Sequence, residues 1–143
     1  MTPKRAMILY KTRTGITRQL AENIREHLAS HGIVSGIKPV EDYRDNDTDG
    51  IDYLFLGCWT AGLMVIFQGP ERLWIDFARR LPDLSKSTVI LFTTYKLLTG
   101  TMFKNMQKHL RISGENNPLP VLKSRNGQLT DEGREILDRI IML

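Results

Sequence analysis

The sequence has almost no cysteine: Cys58 is the only one among 143 residues. No intrachain disulfide is open to it, and a cysteine-rich zinc site is excluded. Long hydrophobic runs are also missing. None approaches the roughly 20 residues a membrane-spanning helix needs. The opening stretch MTPKRAMILYKT has a basic start but only a very short apolar run before Lys11. A secretory signal needs a longer apolar region and a small-residue cleavage site. Histidine is scarce, at three residues. His27 and His31 stand four apart, on one face of a helix, but no third ligand lies near them in sequence, and no metal is assigned. There is no linker, internal repeat, low-complexity segment or Ser-His-Asp arrangement. A secreted disulfide scaffold, a membrane-inserted protein, a zinc finger and a disordered tail are all disfavoured. A cytoplasmic chain folded as one domain over residues 1–143 is expected.

Charge is present in both signs. Twenty lysines and arginines against 16 acidic residues give +4, and the pI is about 9.4. An excess this mild suits a solvated basic face, an anionic ligand, an acidic partner or nucleic acid, and charge alone does not choose between them. No nucleic-acid partner is expected. Lys104, Lys108 and Arg111 on one helix, with Arg72, Arg79 and Arg80 on another, suggest basic exposed faces. A docking partner should then be acidic.

Apolar runs punctuate the chain at regular intervals. Residues 6–10 (AMILY), 53–57 (YLFLG) and 88–92 (TVILF) read as strands buried on both faces. Residues 33–38 and 119–123 read as two weaker ones. Between them lie amphipathic segments with Leu20, Ala21, Ile24 and Leu28 on one stripe, then Leu73, Trp74, Phe77, Ala78 and Leu81, then Met102, Phe103, Met106 and Leu110. A last helix with Ile136, Leu137, Ile140 and Ile141 begins behind Thr130, a plausible N-cap. Pro70 is expected at the first position of the second helix and Pro82 at its end. The helix between the second and third strands is replaced by an acidic, turn-rich loop at residues 39–50. This alternation predicts an α/β, doubly wound, five-stranded parallel sheet with helices on both faces, a three-layer α/β/α architecture.

In such a sheet ligands sit outside the carboxyl ends of the strands. Three loops are expected there: residues 11–17, 58–69 and 93–100. The first carries Thr12, Arg13, Thr14, Gly15, Ile16 and Thr17 between a strand and a helix. Backbone N–H groups at a helix start, hydroxyls and a glycine suit a phosphate. No Gly-Lys-Ser/Thr follows, which excludes a Walker loop, and one glycine is too few for the dinucleotide fingerprint. Read from the residues alone, the loop also suits a plain hydroxyl-rich helix start without a ligand.

Thr-x-Thr-Gly-x-Thr between strand and helix resembles the phosphate loop of the flavodoxin family, with Ile16 where that family usually has Asn. Residues 52–58 resemble the family's third strand, and Trp59, Thr60, Ala61 and Gly62 stand at its first flavin loop. Residues 89–95 resemble the fourth strand running into the second flavin loop, with Thr93, Thr94, Tyr95, Lys96 and Gly100. The likeness covers nearly the whole chain and suits the short-chain group. It implies a flavodoxin-like fold and FMN. The phosphate would lie on residues 12–17, and the isoalloxazine would lie between the 58–62 and 93–100 loops. Trp59 and Tyr95 are the candidate aromatic walls for such a ring.

Three departures from the family stand out. Residues 63–67 are apolar where acidic residues are usual; they either fold into the core or form a lip. Lys96 replaces a typically polar or acidic residue, and the pI is basic. The resemblance implies a redox carrier with a redox-protein partner, as a monomer or weak dimer. An FMN-dependent NAD(P)H or quinone reductase, or an anion-binding regulatory domain without flavin, are the alternatives.

Overall fold

The computed structural model describes residues 3–63, 66–96, 99–112 and 118–142. In chain order the elements are β1 (Arg5–Lys11), α1 (Ile16–Ser30), β2 (Val34–Pro39), β3 (Tyr53–Trp59), β4 (Ala61–Leu63), β5 (Ile66–Gly69), α2 (Arg72–Arg80), β6 (Thr88–Thr94), α3 (Met102–Gln107), β7 (Val121–Ser124) and α4 (Asp131–Ile141). Two short 3-10 turns, Val40–Asp42 and Asp45–Thr48, fill the acidic segment after β2. Five strands form one parallel sheet in the order β2-β1-β3-β6-β7. The order reverses at β1, and the carboxyl ends of β1 and β3 flank that switch point.

Alternate residues of the central strands face opposite layers. Met7, Leu9, Leu54, Leu56, Val89 and Leu91 pack with Trp74, Phe77 and Ala78 of α2, with Leu81 just after it, and with Met102 and Met106 of α3. Ala6, Ile8, Phe55, Ile90 and Phe92 pack with Leu20, Ala21, Ile24 and Leu28 of α1 and with Leu137 of α4. The sheet is therefore covered on both sides, which explains why its strands are apolar throughout. Gly57 is dictated by this packing: a Cβ there would lie 2.1 Å from the ring of Phe92, its parallel partner across β3 and β6.

The helices start and stop close to where the sequence places them. Thr130 caps α4, its hydroxyl accepting from the Gly133 N–H at 2.9 Å. Two details differ. Pro70 precedes the N-cap rather than opening α2, because Glu71 still has extended backbone (φ −63°, ψ 151°) and the helix begins at Arg72. Leu73 is 51% exposed. It lies about 90° around the helix from the centre of the stripe formed by Trp74, Phe77, Ala78 and Leu81.

The 58–69 segment is more than a loop. Its first residues finish β3, and β4 and β5 pair as an antiparallel hairpin, with Ala61 opposite Gly69 and Leu63 opposite Ile66. Met64, Val65, Leu97 and Leu98 lie outside the described residues, as do the side chains of Leu63, Ile66 and Phe67, on which the choice between core and lip depends. Among the described residues no helix is long and apolar enough to cross a membrane.

Candidate functional site

The loop from β1 to α1 turns on Gly15, whose φ of 94° is left-handed. Glycine adopts this conformation without the Cβ clash other residues meet. A Cβ built at Gly15 would find nothing within 4 Å. The Gly15 N–H donates to Thr12 Oγ1 at 2.9 Å, which leaves the Thr12 hydroxyl its own proton to give. No side chain caps the start of α1, and the helix dipole makes this end favourable for an anion. Thr14 is exposed. Ile16 is 37% exposed.

Thr17, expected with the loop's other hydroxyls to suit a phosphate, is turned inward. It is buried, and its Oγ1 lies 2.6 Å from Thr94 Oγ1 at the end of β6. This bond ties the first loop to the third. The second and third are tied by Thr60, whose N–H donates to Thr94 O at 2.9 Å and whose hydroxyl lies 2.8 Å from that of Thr93. Thr93 in turn donates to Cys58 O at 2.6 Å. A ladder of threonines thus joins the ends of β3 and β6 and the start of α1.

Trp59 closes β3 with a half-buried ring. Its indole N–H donates to Glu71 Oε2 at 2.7 Å, and the Arg13 guanidinium lies 5.1 Å from its ring centroid. The first and second loops therefore meet as well. Tyr95 follows β6, with the Arg125 guanidinium 5.3 Å from its centroid; its N–H donates to Ser124 O at 3.2 Å. Ala61 and Gly62 belong to β4. Lys96 is exposed. Gly100, with φ 50°, turns the chain ahead of α3. Cys58 is fully buried, and burial pushes its thiol up to about 12. A thiol held protonated at neutral pH is a poor nucleophile.

Sequence reasoning missed the fourth loop at this edge, after β7. It supplies Arg125 against Tyr95, and it is clamped to α1 by Asn23, whose side-chain amide donates to Gly127 O at 2.9 Å. The run Ser-Arg-Asn-Gly at residues 124–127 is a turn signal that marks it. Glu71 was also missed, being twelve residues from the indole it orients. Arg13 and Arg125 bring positive charge to the two rings, Lys11 at the end of β1 pairs with Glu41 at 3.3 Å, and Glu71 is held by Trp59.

A parallel sheet ordered this way, with an uncapped glycine-led helix start beside two aromatic-bearing strand ends, defines a flavodoxin-type α/β fold. Comparison with known proteins agrees. Residues 7–64 match the family model described as the flavodoxin domain. Over 92% of this chain and 94% of the other, the fold is similar to that of Megasphaera elsdenii flavodoxin in its two-electron reduced form, at 22% identity and TM-score 0.70. A short-chain flavodoxin associated with a non-canonical PDU bacterial microcompartment is similar over 97% and 95% of the two chains, at 15% identity and TM-score 0.68. Rubredoxin oxygen:oxidoreductase from Desulfovibrio gigas is similar over 99% of this chain but 35% of its own, at 14% identity and TM-score 0.69. No curated protein sequence matches significantly. The chain therefore has a flavodoxin-type fold, and its residues 7–64 match the flavodoxin domain.

Proposed function

We propose that this chain is an FMN-binding electron carrier, folded as one flavodoxin-like domain over residues 1–143 and working in the cytoplasm with an acidic redox protein. The observation that carries the reading is the start of α1. It is uncapped, Gly15 is left-handed, and the space where a Cβ would sit is open. A phosphate fits there on the backbone N–H groups, with the Thr12 and Thr14 hydroxyls able to donate. The flavodoxin-domain match over residues 7–64 includes this loop.

FMN, when bound, supplies the electron-accepting and electron-donating chemistry. The chain's part is to bind, orient and tune. Residues 12–17 hold the phosphate, with Thr17 acting through Thr94 to fix the loop. Trp59, Thr60, Ala61 and Gly62 on one side, and Thr93, Thr94, Tyr95, Lys96 and Gly100 on the other, bracket the ring system. Arg13 and Arg125 cover one face each of Trp59 and Tyr95. A stacked ring therefore meets the other face or displaces the guanidinium, which exposed cation–π contacts of about 0.5–1 kcal/mol permit.

Titration of the purified protein with FMN tests the reading: the flavin absorption should shift and saturate at one FMN per chain. Thr14→Val should weaken FMN far more than riboflavin, because only FMN carries the phosphate. Equal weakening of both, or no binding of either by the parent, overturns the proposal. Rapid turnover of NAD(P)H by the loaded protein alone would assign it instead as a reductase.

A further inference from the structure

We propose that His27, His31 and Asp138 form a binding site for a divalent transition-metal ion of the zinc type, at the end of the sheet opposite the candidate flavin loops. His27 Nε2 lies 2.7 Å from Asp138 Oδ1, and His31 Nε2 lies 3.2 Å from the same oxygen. One ligand atom from each residue falls within 4.8 Å of the other two. A tetrahedral zinc ion with bonds of about 2.0–2.1 Å sets its ligand atoms about 3.4 Å apart. The cluster therefore brackets that spacing and needs only side-chain adjustment to meet it.

The backbone presets the arrangement. His27 and His31 stand at i and i+4, the spacing by which one helix turn offers two imidazoles to one ion. Asp138 follows Leu137, which is buried in the same core as Leu28, the neighbour of His27. Core packing thus holds α1 against α4. His27 lies in the last turn of α1, His31 is its C-cap, and Asp138 lies in the last turn of α4. Both helices direct the negative end of their dipole towards this corner, which favours a cation. The side chains of His27, His31 and Asp138 are 15%, 37% and 44% exposed, so a hydrated ion can reach them and water can complete the coordination. Two neutral imidazoles and one carboxylate form a donor set suited to zinc and unsuited to magnesium or calcium, which take oxygen ligands. The bound ion would clip the ends of α1 and α4 together.

Calorimetric titration of tag-free protein with zinc chloride, in a non-chelating buffer at about pH 7.5, tests this without reference to flavin. The expected result is one zinc ion per chain. The double variant His27→Ala/His31→Ala should lose affinity by more than the roughly 10–100-fold that removal of a mere outer-shell partner costs. Asp138→Asn should weaken binding, and His109→Ala should leave it unchanged. Zinc should also raise the melting temperature of the parent and not of the double variant. Should the double variant not fold, the single Gln variants His27→Gln and His31→Gln carry the same comparison. Absence of binding by the parent, or equal binding by parent and folded variants, overturns the proposal.

Discussion

The sheet interior and the loops at its carboxyl edge are built from different materials. The interior is apolar and is held by shape. Ile8, Leu9, Phe55, Leu56, Ile90, Leu91 and Phe92 are fully buried and alternate between two helical layers. The edge is held by direction. Thr17, Thr93 and Thr94 are three of the four buried polar residues among those described, and hydrogen bonds join them to one another or to Thr60 and Cys58. Apolar packing tolerates exchange of similar volumes. A buried hydroxyl pair tolerates removal of neither partner alone. The interior therefore fixes the fold, and the threonine ladder fixes how the loops stand on it.

The largest expected effect is in the interior. Gly57→Ala puts a Cβ 2.1 Å from the buried Phe92 ring, which the surrounding core prevents from moving away. Overpacking of this kind costs about 3 kcal/mol. Urea unfolding should show it as a lower midpoint with unchanged slope, and Gly57→Ala/Phe92→Leu should recover part of the loss. A Gly57→Ala protein as stable as the parent would show that the strand ends carry slack, and the contrast with the loops would fail.

The next effect is at the edge. Thr17→Val keeps shape but leaves the Thr94 hydroxyl buried without its partner 2.6 Å away. Each single valine variant should cost about 1–2 kcal/mol. The double variant Thr17→Val/Thr94→Val should cost less than the sum, because no hydroxyl is then stranded. A double-mutant cycle by chemical unfolding measures this coupling directly. Strict additivity would mean the two hydroxyls do not depend on one another.

Polar contacts outside both regions should act more weakly and with pH. Lys38 Nζ donates to both oxygens of Asp47 at 2.9 and 2.8 Å, and the Arg44 N–H donates to Oδ2 at 2.7 Å. Burial pushes the Asp47 carboxyl up, but these bonds outweigh it and hold it below its ordinary 3.8. A carboxyl lowered by folding adds stability that is present above its unfolded value and lost as pH falls through the folded one. Asp47→Asn should therefore be less stable than the parent at neutral pH, by about 1 kcal/mol or less. That gap should close as pH drops below 3.8. A gap constant with pH would place the effect elsewhere in the chain.

The same division decides what the sequence reveals. Strands and helices are written locally: periodicity places β1, β3, β6 and the inward stripes of α1 and α4, and Thr130 announces its helix. The resemblance of residues 12–17 to a phosphate loop likewise rests on neighbours in the chain. What the sequence leaves hidden is joined across distance. Thr17 and Thr94 are 77 residues apart. His27 and Asp138 are 111 apart, so the histidine pair meets its carboxylate only on folding. Arg125 reaches Tyr95 because β7 lies beside β6, and no local pattern records that adjacency. Leu73 fails for a geometric reason: its position on the helix, not its hydrophobicity, decides its exposure.

The smallest expected effect belongs to Lys96, and it separates charge from packing at the edge. Lys96 follows Tyr95 in the third loop and is exposed. If FMN binds as proposed, reduction adds negative charge to the ring, and a nearby cation favours the reduced form. Solvent screens an exposed charge, so the stabilisation is about 0.5 kcal/mol rather than the several kcal/mol of a buried pair. For a two-electron couple about 30 mV corresponds to 1.4 kcal/mol, which makes this roughly 10 mV. Reversing the charge in Lys96→Glu doubles the change, so the midpoint should fall by roughly 20 mV at low salt. The difference should shrink as ionic strength rises, because the Debye length contracts to about 8 Å near physiological salt. Spectroelectrochemistry of the two FMN-loaded proteins at two salt concentrations reads both effects. A shift independent of salt would mean the substitution moves the loop rather than its charge. Equal potentials at low salt would show that the ring is tuned by the backbone and aromatic residues alone.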